Sequence, residues 1–136
     1  MGAWGTGLFE NDSVLDALDY LMSSSPEQYI ENSFSMFSEG EYLDMDEAAE
    51  MLVACVFIDA VLNGINPDIT GSEDFRNYVE ANKNTDAGSW KNEAVRILKT
   101  IISDNSELNE LWEEAGEEEY NVWKRPIADL IERLSK

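Results

Sequence analysis

The sequence contains no histidine, one cysteine and three prolines, and no lysine or arginine before Arg76. Each absence excludes something. Without histidine there is no Ser-His or Cys-His nucleophile pair, no zinc-histidine site and no ordinary general base near neutral pH. A single cysteine, Cys55, rules out an intramolecular disulfide and a cysteine-based metal site, which suits a reducing compartment. It lies in the run Leu52-Val53-Ala54-Cys55-Val56-Phe57-Ile58 and reads as a small buried hydrophobe. No apolar run approaches the roughly 20 residues of a membrane span, and no basic n-region or apolar h-region marks a signal peptide. A cytoplasmic location is therefore expected. No segment alternates at period two, and the glycines at 2, 5 and 7 have neither a preceding strand nor a nearby lysine to make a phosphate cradle.

What is present is acid and apolar mass together. The chain has 136 residues, 43% hydrophobic and 28% charged, with a net charge of -20. The aromatic and aliphatic content is that of a folded domain, not of an acidic disordered tail. Residues 1–75 hold sixteen acids and no base, while residues 76–136 hold thirteen acids against nine bases. Such a chain repels nucleic acid and anionic membranes and attracts basic proteins with fast, salt-sensitive association. An acidic surface that serves only solubility is the plain alternative.

Helical spacing recurs along the chain. Val14, Leu15, Leu18, Leu21 and Met22 predict a first helix, with Asn11 and Asp12 as its caps. Ser25-Pro26 restarts the chain as N-cap and first helical residue. A second helix follows through Phe37. The third, about residues 44–63, is apolar almost all round from Met51 to Leu62 and should be the central buried helix, closed by Gly64. A fourth opens at Thr70 or Ser72, a fifth runs from Trp90, and a sixth from Ser106 carries Trp112 and stops at Gly116. A seventh covers 118–134, where Pro126 should kink or split it. The expected architecture is all-α: one domain over 1–136, a compact orthogonal bundle of six to seven helices. Residues 1–10 are expected to be irregular and docked on the core by Trp4 and Phe9, with the rim of a pocket as the alternative reading.

Two stretches carry a resemblance. The opening Met1-Gly2-Ala3-Trp4-Gly5-Thr6-Gly7-Leu8-Phe9-Glu10-Asn11-Asp12 resembles the start of a bacterial domain-of-unknown-function family of small acidic proteins, whose members open Met-Gly-Ala-Trp-Gly-x-Gly-x-Phe-Glu-Asn-Asp. The tail from Ser106 to Gly116, with Trp123 and Leu130-x-x-Arg133-Leu134, is similar to the end of the same family. The resemblance implies a bacterial cytosolic helical domain and brings no activity. Small acidic helical proteins often serve as immunity proteins or antitoxins, an analogy of class.

Carboxylates are the remaining chemistry. Glu47-x-x-Glu50 has half the pattern of helical nucleotide pyrophosphohydrolases, but the nearby Glu41-x-x-Asp44 precedes it at the wrong spacing. A metal-dependent hydrolase through Glu47, Glu50 and Asp59 is the alternative reading. Asp59, on the apolar helix, reads either as a core residue paired with a buried partner, with Arg96, Arg133 and a tryptophan indole as candidates, or as a functional pocket acid. The dense run Glu39, Glu41, Asp44, Asp46, Glu47 and Glu50 suits a surface that covers the cationic groove of a basic partner such as a nuclease toxin. The sequence thus favours a non-enzymatic binding protein with no cofactor and no metal.

Overall fold

The computed structural model describes residues 12–64 and 73–135; Trp4, Phe9, Asn11, Thr70 and Ser72 lie outside the described residues. Among the described residues seven α-helices run in order: α1 (Asp12–Met22), α2 (Pro26–Phe34), α3 (Met45–Asn63), α4 (Glu73–Ala81), α5 (Lys91–Ile101), α6 (Glu107–Ala115) and α7 (Glu117–Leu134). A 3-10 turn, Ala87–Trp90, leads into α5. The fold is all-α.

The third helix organises the rest. Every residue from Met51 to Ala60 is buried, and α3 touches each of the other six helices. A helix apolar on all sides can sit only where neighbours cover every face. Ala48, Ala49, Ala54 and Ala60 let those neighbours approach closely, while Phe57, Leu52 and Ile58 fill the space between them. Burying one such large side chain contributes about 1.5–3 kcal/mol. Cys55 lies fully inside, its thiol donating weakly to the Ala94 carbonyl at 3.7 Å, and burial pushes its pKa up, with Glu93 adding to the shift.

The helix starts follow the side chains that satisfy them. Ser25 accepts from Gln28 N at 3.3 Å with Pro26 in the first turn. Ser106 accepts from Asn109 N at 3.2 Å. Asp12 is the first residue of α1, where its charge suits the helix dipole. At α3, Asp44 accepts from Glu47 N at 2.9 Å, and Asp44 N donates back to Glu47 Oε1 at 3.2 Å, a complete capping box. The loops that precede α3 and α6 are clipped together. Leu43 N donates to Asn105 O at 2.8 Å and Glu107 N donates to Leu43 O at 2.9 Å.

Three boundaries differ from the sequence expectation. The second helix ends at Phe34, not Phe37: Met36 and Phe37 donate to carbonyls three residues back, and the Ser35 hydroxyl donates to Asn32 O at 2.7 Å, tightening the chain out of the α-helix. Trp90 belongs to the 3-10 turn before α5. Of the kink or split expected at Pro126, the split does not occur: α7 is one helix across it. The carbonyl that loses its donor is that of Val122, on an exposed stretch where solvent can satisfy it.

Trp112 is buried between α6 and α7 and stacks on Trp123, ring centroids 6.2 Å apart at 17°. Its Nε1 is the one buried side-chain polar atom without a partner among the described residues.

Candidate functional site

The six acids along 39–50 divide by what they touch. Asp44 and Glu47 are engaged with each other in the capping box, so they hold the start of α3 in place. Glu39 lies 4.0 Å from Arg96 Nη1 with both side chains largely exposed, a pair worth little in water. Glu41 is exposed on the loop before α3. The remaining two, Asp46 and Glu50, stand one turn apart on α3 and face α1.

Between them and α1 lies a cleft of about 290 Å3, lined by Ser13, Asp16, Ala17, Tyr20, Asp46 and Glu50. Its walls follow from helix periodicity. Residues 13, 16, 17 and 20 form one stripe of α1, beside the buried stripe of Val14, Leu18 and Leu21 that packs on the core. The second helix fixes the floor: the Tyr29 hydroxyl donates to the Glu50 carbonyl at 2.9 Å, and the Tyr20 ring meets Tyr29 edge-on at 5.7 Å. The Tyr20 ring is half exposed at the rim, 54%. Three carboxylates therefore share one concave surface with a hydroxyl and an aromatic edge.

The electrostatics are unfavourable as they stand. Partial burial raises the Glu50 carboxyl above its ordinary value, and Asp46, Asp44 and Glu47 raise it further. Like charges crowded together favour the protonated form, and an approaching cation relieves that repulsion. Sequence reasoning picked out Asp46 and Glu50 but missed Asp16 and Tyr20. The available signal was their i, i+4 spacing on the polar side of α1, which marks a shared stripe but not the helix it would face.

A second acidic surface lies on α6, where Glu110, Glu113 and Glu114 line a shallow depression of about 530 Å3. Its acids are partly tied back to the start of α3. Glu107 Oε1 accepts from Met45 N at 2.8 Å. The Tyr42 hydroxyl donates to Glu110 Oε1 at 2.5 Å, and that bond, with some desolvation, pushes its pKa up to about 12.

Asp59 is no pocket acid. It is 2% exposed, and its Oδ1 accepts from Arg133 Nε and from Asn63 Nδ2, each at 2.9 Å. Arg133 Nη2 also donates to Gly64 O at 3.0 Å. Of the three candidate partners, Arg133 is the one that pairs. Arg96 is on the surface. Glu47, Glu50 and Asp59 do not converge: Asp59 follows Glu47 by twelve residues on one helix, roughly 18 Å of rise, far beyond a shared ion's reach. Among the described residues, no three carboxylate or cysteine side chains are grouped to hold a metal ion. No helix of the described residues is long and apolar enough to cross a membrane.

The model of the domain of unknown function DUF4259 matches residues 2–126, so the chain belongs to that family. The match includes the whole of the α1–α3 cleft and ends within α7, before Arg133. No curated protein and no solved structure matches the chain.

Proposed function

We propose that this member of the DUF4259 family is a non-enzymatic acidic binding protein of the bacterial cytoplasm. It neutralises a basic protein partner by seating lysine or arginine side chains of that partner on the α1–α3 face. The form of this role that fits best is an immunity protein that covers the cationic groove of a nuclease-type toxin. The observation that carries the reading is the cleft of Asp16, Asp46 and Glu50, set in a half-chain with no base before Arg76.

Chemistry supports the choice of ligand. A guanidinium or ammonium group entering the cleft meets three carboxylates beside Tyr20, a set that suits charge-assisted hydrogen bonds. In the free protein partial burial and the charges of Asp46, Asp44 and Glu47 raise the Glu50 carboxyl, so a bound cation gains from relieving that repulsion. The long-range field of a chain at -20 steers a basic partner and repels nucleic acid, which keeps the protein from competing for the substrate of a nuclease.

The test uses a basic protein encoded beside this chain, purified and titrated against it. The triple variant Asp16→Asn, Asp46→Asn, Glu50→Gln should weaken binding by at least roughly tenfold at low salt and flatten the salt dependence of association. It should also fail to protect cells that express the partner. Unchanged affinity and unchanged salt slope in a folded triple variant would sink the proposal.

A further inference from the structure

Asn63–Gly64 is the one dipeptide in which an asparagine is followed by glycine, and it sits at the centre of the contacts that hold the end of α7 to α3. The Asn63 side chain donates to buried Asp59 at 2.9 Å, and Gly64 N donates to Ala60 O at 3.0 Å. The Gly64 carbonyl accepts from Arg133 at 3.0 Å. Gly64 has φ +90, a conformation that favours glycine, so the fold itself requires the residue that leaves Asn63 without a bulky neighbour. Asn63 is exposed and is the last residue of its helix, the turn that opens most readily.

We propose that Asn63 is a site of spontaneous modification, and that its deamidation releases the clamp between α3 and α7. When the last turn of α3 opens, Gly64 N loses its proton to hydroxide and attacks Asn63 Cγ. The new C–N bond forms as the bond from Cγ to Nδ2 breaks, and Nδ2 leaves as ammonia. Water then opens the succinimide. Attack at Cγ gives aspartate, and attack at the backbone carbonyl gives isoaspartate; the net change is amide plus water to carboxylate plus ammonium, with no redox step. Glycine speeds ring closure because no Cβ crowds the attacking nitrogen.

Both products damage the clamp. Aspartate replaces the donor that faced Asp59 with a second anion, leaving two carboxylates for the one Arg133 guanidinium. Isoaspartate lengthens the main chain by a methylene between the Asp59 contact and the Gly64 carbonyl, so both cannot be held as before.

The test ages the purified full chain at mildly alkaline pH and follows each asparagine by peptide mass spectrometry, with hydrogen exchange of the last turn of α7 measured in parallel. Acid should accumulate at Asn63 several-fold faster than at Asn84 or Asn105, and the aged protein should exchange faster at residues 130–134. Asn63→Gln, whose longer side chain closes its ring slowly, should abolish the change; Asn63→Asp should reproduce the faster exchange without ageing. Asn63 reacting no faster than Asn84 and Asn105 overturns the proposal. So does an aged, deamidated protein whose α7 stays as protected as the fresh one, and this second arm stands even if the Asn63→Asp variant does not fold.

Discussion

Replacing Arg133 with methionine keeps an unbranched side chain of similar length and removes the guanidinium. Asp59, 2% exposed, then keeps Asn63 Nδ2 as its remaining donor from the clamp, and the Gly64 carbonyl loses its arginine. Removing one partner of a buried ion pair costs about 3–5 kcal/mol because the other charge stays buried. The Arg133 side chain is 30% exposed and Asn63 stays in place, so the lower end applies, about 3 kcal/mol. In a chain of this size that is roughly 10 °C in Tm. Urea unfolding of the wild type, Arg133→Met, Asp59→Asn and the double variant forms a thermodynamic cycle. The double variant should be more stable than Arg133→Met alone, since the unpaired charge has gone. An Arg133→Met protein as stable as the wild type, or a double variant whose losses simply add, would refute the reasoning.

Three further outcomes follow from the same physics. Asp44→Ala removes the Asp44 side of the capping box and should lower stability by about 1 kcal/mol in urea titration. Because the Glu50 carboxyl is raised by burial and by its acidic neighbours, its protonated form is favoured by the fold; its contribution is present below the unfolded pKa and is lost as pH rises through the folded one. Glu50→Gln should therefore raise the urea midpoint at pH 7, and the gain should close as pH falls through the carboxylate range. Cys55 should resist alkylation in the native protein at pH 7–8 and react at once in denaturant, because burial both shields the thiol and raises its pKa.

The helix starts were legible because their signals are local. Ser25-Pro26 and Ser106 each carry their own cap, the acids at 44 and 46 narrow the start of α3, and an apolar run from Met51 to Ile58 has no alternative to burial. What was not legible depends on contacts between distant segments. The Leu43–Ser106 clip pairs two loops with no periodic pattern of their own. Asp16 and Tyr20 become site residues only because α1 lies along the first turns of α3. Burial of Asp59 followed from its helix, but three partners were open, and it is the approach of α7 that selects Arg133. Phe37 kept the apolar spacing of a helix, yet the backbone after Phe34 tightens into bonds three residues back from Met36 and Phe37.

A half-chain without bases must stabilise its acids by other means, and backbone N–H groups are what it has. Asp12, Glu27, Asp46 and Glu47 all fall in first helical turns, with Asp44 one residue before, where unpaired N–H groups and the helix dipole offset negative charge. That solution is unavailable at helix ends. The last turn of α3 carries no base of its own, and the cation that meets its carbonyls and Asp59 comes from α7 as Arg133. Asp16 and Glu50 stand at neither a helix start nor the clamp, and they line one cleft with Asp46. The fold thus neutralises locally the charge it needs for its own helices and leaves a concave anionic remainder. A remainder that raises Glu50 instead of pairing it destabilises the free protein. A cation seated there would offset that cost, so the proposed binding role directs the search for a basic partner to that cleft, not to the larger count of acids along 39–50.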